Sequence, residues 1–144
     1  MTRLSVVFLA EPPEIDAPLN ADFALTHQWE LGERGLKSQG WELYLKTAEE
    51  DPLVHFTLSG NPIHSNDLIG QYSPEEDHEF LVRGESIEQF GPVYLDQDES
   101  GEAKIHRMSD VFVDIEFNSP QMHKRILFAR EDPDVNLWVV KGVI

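Results

Sequence analysis

The sequence predicts an α+β domain: a mainly antiparallel β-sheet of about six or seven strands with one or two helices packed on one face. Three observations predict it. Segments of alternating hydrophobicity recur along the chain, Val111–Phe117 being the clearest. Successive strand segments lie too close together for helical crossovers, so neighbours must pair antiparallel. Two stretches carry helix signatures, around Leu25 and Trp29 and at Ser73-Pro74-Glu75-Glu76. The 144 residues correspond to one domain, 1–144, long enough to bury a substantial core.

Taken in order, Leu4–Ala10 is a nearly continuous apolar run rich in Val and Phe, read as a strand buried on both faces. It is short for a signal-peptide core and is followed at once by Glu11-Pro12-Pro13-Glu14, without a small-residue cleavage site. Pro12, Pro13 and Pro18 impose a loop. Asn20 is a candidate cap for a helix over Ala21–Leu31, where Leu25 and Trp29 share a face. Gly32 and Gly35 end that helix, and Gly40 closes the loop after it. Trp41–Thr47 alternates: Trp41, Leu43 and Leu45 on one side, Glu42, Tyr44 and Lys46 on the other. Asp51-Pro52 turns the chain into a second strand, Leu53–Leu58, and the two form a hairpin.

Gly60–Gln71 reads as a loop. Ser73-Pro74-Glu75-Glu76 is the best helix start in the chain: a Ser cap, Pro in the first turn and Glu completing a capping box. Ser86–Phe90 adds a further helical turn. Pro92–Leu95 and Ala103–Arg107 are predicted to form a hairpin with an acidic tip over Asp96–Gly101. After Val111–Phe117, Asn118-Ser119-Pro120 turns the chain into two last strands, Lys124–Arg130 and Leu137–Val143. A helix from Ser119 is the alternative for 119–130, because Met122 and Ile126 are four apart.

Charge is the strongest functional signal. The chain carries −16, and residues 51–100 hold eleven acidic residues against the single base Arg83. Such a field repels nucleic acid and anionic membrane and attracts basic protein surfaces. The candidate partner-binding residues are therefore Glu75, Glu76, Asp77, Glu79, Glu85 and Glu88, then Asp96, Asp98 and Glu99. Phe112, Asp114 and Glu116 extend this surface from the predicted outer face of a strand. Tyr72, Phe90, Tyr94 and Phe112 are candidate aromatic anchors within it.

Catalytic and metal motifs are absent from the sequence. With no cysteine there are no disulfides, thiolate metal sites or Cys nucleophile, which fits a reducing cytoplasm. No GxSxG, Walker-type or GxGxxG pattern occurs. The histidines at 27, 55, 64, 78, 106 and 123 form no HExxH pair, so no metal or cofactor is expected. The one basic cluster, His123-Lys124-Arg125 with Arg130, is read as salt-bridge partners rather than a phosphate track. A small His/carboxylate enzyme or ligand pocket, a nucleic-acid mimic, and an assembly subunit pairing through an edge strand at Leu137–Val143 are the alternatives.

In size, acidity, lack of cysteine and lack of motifs, the chain resembles bacterial immunity proteins. The resemblance implies a cytoplasmic protein that occludes a basic cognate toxin or nucleic-acid enzyme. It carries no residue across.

Overall fold

Nine strands form one antiparallel sheet among the described residues of the computed structural model, which are 11–81, 88–90 and 93–143. They are β1 (Leu19–Gly32), β2 (Gly35–Lys46), β3 (Val54–Leu58), β4 (Asp67–Tyr72) and β5 (Glu88–Phe90). β6 (Val93–Met108), β7 (Phe112–Ser119), β8 (Met122–Ala129) and β9 (Trp138–Val143) complete the set. Their order is β1-β2-β3-β4-β9-β8-β7-β6-β5, and β1 also pairs with β6. Eight strands therefore close into a barrel, made of two four-strand meanders joined along the β4–β9 and β1–β6 seams. β5 pairs with the start of β6, through Phe90 and Val93.

The α+β expectation is overturned: the fold is an all-β closed barrel. The only helical element among the described residues is a 3-10 turn, His78–Leu81. The predicted helix over Ala21–Leu31 is the middle of β1. Ala21, Phe23 and Leu25 face the core, but Ala24 and Thr26 on the opposite face are also buried. A strand covered on both sides shows no alternation, and the four-residue spacing of Leu25 and Trp29 is then no helix signal.

The Ser73–Glu76 start leads to no helix either. Leu53 and Glu75 exchange both backbone hydrogen bonds, which holds this segment extended. The Glu75 carboxylate then accepts from the Asp77 N–H, and Asp77 accepts from the Glu79 N–H. These side-chain turns satisfy donors that an α-helix would have used. The Asp96–Gly101 hairpin tip is also wrong. It lies within the 16-residue β6, whose polar run is held by a full-length partner strand, from Glu30 opposite Val93 to Leu19 opposite Ile105. The Gly60–Gln71 loop ends in β4, where Leu68, Gly70 and Tyr72 alternate inward.

The β2–β3 hairpin forms as expected, with Trp41 opposite Leu58 and Leu43 opposite Phe56. Val113, Ile115 and Phe117 face the core from β7. Residues 122–129 are strand, not helix. Leu137–Val143 is not an edge: β9 pairs with β4 on one side and β8 on the other. The Leu4–Ala10 strand and residues 86–87 lie outside the described residues, and Glu88–Phe90 is strand rather than the expected helical turn.

Phe23, Phe56, Phe117, Phe128 and Trp138 are at most 2% exposed and fill the barrel with Leu and Ile from every wall. An eight-stranded barrel is just wide enough for such side chains. Its interior is a packed core, so any binding site must lie on the outside. Beyond Trp41, β2 parts from β3 and stays paired with β1, and Gln39 bulges out between the pairs Gln28–Gly40 and Trp29–Ser38. Gly40 has φ +126° there, and a Cβ would sit 3.0 Å from the Leu58 carbonyl oxygen, so only glycine fits.

Candidate functional site

Strand register places a row of polar side chains on the outside of the barrel. Gln97 of β6 pairs with Thr26 of β1, Thr26 with Glu42 of β2, and Glu42 with Thr57 of β3. The next row is Ala24, Tyr44 and His55. On a bare barrel these would be solvated. Here the 3-10 turn packs over β1 and β2, and Thr26 (1%), Tyr44 (3%), Glu42 (8%) and His55 (9%) are all buried. Tyr44 is stacked between His55 at 4.5 Å and Phe80 at 5.2 Å.

The His55 ring is held at both nitrogens. Nδ1 lies 2.8 Å from the Ser73 carbonyl oxygen, and a carbonyl only accepts, so Nδ1 carries a proton. Nε2 lies 3.1 Å from Glu42 Oε1, and that contact needs a second proton, on one partner or the other. Thr57 Oγ1 donates to the same Glu42 oxygen at 3.2 Å. Both ring nitrogens are thus held by groups of the barrel wall. Burial, with the Glu42 and Glu75 carboxylates, pushes the Tyr44 phenol far above its ordinary range, so it stays a neutral hydroxyl.

Above this floor lies a cavity of about 320 Å³, lined by Gln28, Glu42, Tyr44, His55, Glu75, Phe80 and Leu95. It holds two carboxylates, and none of the described lining residues is Lys or Arg. Whichever partner holds the proton shared by His55 and Glu42, an ionised Glu75 leaves the lining with one net negative charge. A second, wider groove of about 610 Å³ runs along the outside of β2, β1, β6 and β7. Its lining holds four carboxylates, Asp22, Glu49, Glu102 and Glu116, against Lys46 and Lys104, and Lys46 bonds Glu49.

The predicted acidic surface is divided among three places. Glu75 and Phe80 line the cavity, and Glu76, Asp77 and Glu79 lie in the chain between them. Asp96, Asp98 and Glu99 sit in β6 instead: Asp98 accepts from Trp41 Nε1 at 2.9 Å, and Glu99 accepts from the Gln121 N–H at 2.6 Å. Asp114 is buried and forked by Arg125, both contacts 2.7 Å, while Glu116 meets His106 at 2.8 Å. Phe112 is half-buried beside Arg107. Tyr72 is a core residue, so it is no surface anchor. Glu85 and the Glu88 and Phe90 side chains lie outside the described residues. The basic residues bond internally: Arg130 donates to the Asp110 and Val135 carbonyls, and Lys124 to Pro62 O and Asn66 Oδ1.

At the end of the barrel, His27 is sandwiched between Trp29 (4.0 Å) and Trp41 (3.9 Å), with Ser38 Oγ 2.7 Å from its Nε2. Burial lowers the His27 pKa, opposed by Asp98 and Asp96. A His more acidic folded than unfolded gives its full stability contribution above the unfolded pKa, about 6.5, and loses it as pH falls through the lower folded value. Acid titration is thus expected to lower the unfolding midpoint from about pH 6.5 downward and to quench Trp fluorescence as the ring charges. His27→Gln should remove the quenching step; its persistence would assign the step elsewhere.

Among the described residues no three His, Asp or Glu side chains gather as a metal site. No described helix is long and apolar enough to cross a membrane. The fold and the site define a small antiparallel barrel with a filled interior and an acidic pocket in its outer wall. No protein-family profile matches the chain, and no curated protein matches it either.

Proposed function

We propose that this protein is a non-catalytic binding protein of the cytoplasm, which engages a basic protein partner at the outer wall of β1–β3. The observation that carries this reading is the cavity with two carboxylates and no Lys or Arg among its described lining residues, with Glu76, Asp77 and Glu79 in the chain between its lining residues Glu75 and Phe80. The one histidine among its described lining residues is tied at both ring nitrogens to groups of the wall. The partner class is a toxin or nucleic-acid enzyme whose basic surface is occluded, as in immunity proteins. Long-range attraction sets the rate of encounter, and packing around the cavity sets the lifetime of the complex.

The partner is captured at low salt and released at high salt, and its kinetics are then followed by surface plasmon resonance. Reversing charge at Glu75, Glu76 and Glu79 together should slow association by about tenfold or more at low salt, with little change in dissociation. If neither rate moves, this segment is not the docking site.

A further inference from the structure

Buried polar side chains are nearly always hydrogen-bonded, so a row of partnerless atoms needs a reason. Thr26 is 1% exposed, and its Oγ1 has no hydrogen-bond partner among the described residues. Gln97 Oε1, directly across the strand pair, is likewise buried without a partner. On the other side of Thr26 stands Glu42, whose Oε1 serves His55 and Thr57. Its Oε2 receives no hydrogen bond from the described residues. Three adjacent strands thus present oxygen atoms on one face, next to a cavity with one net negative charge.

Adjacent strands are about 4.8 Å apart, so this row spans about 10 Å. A matching ligand needs one positive charge and several N–H donors spread across a plane. A guanidinium has five donors in a fixed fork, whereas an ammonium concentrates three on one atom. The cavity, about 320 Å³, is at the small end of the range for ligand sites and large enough for a guanidinium on an alkyl stem.

We propose that the outer-wall cavity lined by Glu42, Tyr44 and Glu75, with Thr26 and Gln97 beside Glu42 in the strand register, holds a guanidinium group. This rests on the reading that the wall binds a cationic partner. The group arrives either as an arginine side chain of a protein or as a free small guanidine, and the chemistry at the pocket is the same.

The test is calorimetric titration of the full chain with N-acetyl-arginine amide, N-acetyl-lysine amide and N-acetyl-citrulline amide, the last being the neutral isostere. The arginine compound should bind at least about tenfold more tightly than the citrulline one. Thr26→Val removes a hydroxyl without a partner, so the variant should fold at least as stably while losing about tenfold in arginine-amide affinity. Glu42→Gln, checked by circular dichroism for its fold, should lose more. No binding of any of the three compounds up to about 10 mM, weaker than useful pocket affinities, overturns the pocket whatever the partner kinetics show. Binding that Thr26→Val and Glu42→Gln both leave unchanged overturns its placement. If arginine amide displaces the captured protein, the guanidinium is that protein's side chain. If it binds without displacing the protein, the pocket stands for a free guanidine and the basic-partner reading of this wall fails.

Discussion

Phe56→Ala is expected to destabilise the protein by about 3–5 kcal/mol, near the top of that range. Phe56 is fully buried on β3, with Phe128 at 4.4 Å, Tyr72 at 5.3 Å and the Trp138 ring edge-on at 5.6 Å. It therefore ties β3 to β4, β8 and β9 across the barrel. The void left by its ring has little chance of closing. On β4 the adjacent inward position is Gly70, which has no side chain of its own to swing in, and Val140 and Leu58 already pack over it. Closed strands on every side also resist the backbone shift that lets an open sheet collapse. Urea unfolding with an unchanged slope should show the loss as a lower midpoint. Phe56→Leu should cost less, about 1 kcal/mol. A loss under about 1 kcal/mol for Phe56→Ala would mean that the barrel interior is not close-packed.

Much of the sheet was legible, and the reason lies in which faces are covered. Trp41, Leu43 and Leu45 against Glu42, Tyr44 and Lys46 is a clean period of two, and the predicted faces are the observed ones. Val113, Ile115 and Phe117 are equally plain. β1 was misread because Ala24 and Thr26 are buried by a chain segment more than fifty residues later, which no local pattern carries. β6 was misread because Asp96 to Gly101 has poor strand propensity and is held by pairing with β1, a tertiary effect. The site was missed for a related reason. Glu42 and Tyr44 were placed on the outer face, and outer faces are normally wet. One signal was present: the β2–β3 hairpin sets Tyr44 opposite His55 and Glu42 opposite Thr57, a concentration of hydrogen-bonding groups unusual for a solvated wall.

The acids that give the chain its charge stand in different surroundings. Of the acids expected to form one surface, Asp114 is forked by an arginine, and Glu99 and Asp98 hold a loop and an indole in place. These are structural uses; of the three, only Asp114 meets a cation, while Asp98 and Glu99 accept from neutral donors and keep their charge. Glu42 was not among the expected residues, yet it is the carboxylate at the centre of the pocket. Its burial makes each interaction it forms stronger and each one it lacks costlier.

That asymmetry fixes the second large expected effect. His55→Leu should cost about 3 kcal/mol at neutral pH, because breaking a buried pair from one side leaves the other charge uncompensated. Glu42 would keep only the Thr57 hydroxyl, and the Ser73 carbonyl would lose its imidazole donor. Tyr44 would also lose one of its two stacking partners. Replacing both members, Glu42→Leu with His55→Leu, should recover part of the loss, with a coupling of about 1–3 kcal/mol in a double-mutant cycle measured by urea unfolding. Strict additivity would show that the two side chains do not act as a unit. The double variant also separates architecture from function. An apolar pair of similar volume can support Tyr44 and the 3-10 turn, so the barrel should remain folded, but the pocket floor then offers a cation no carboxylate. A folded double variant that has lost arginine-amide binding would place the cost of keeping a buried Glu–His pair on ligand recognition rather than on stability.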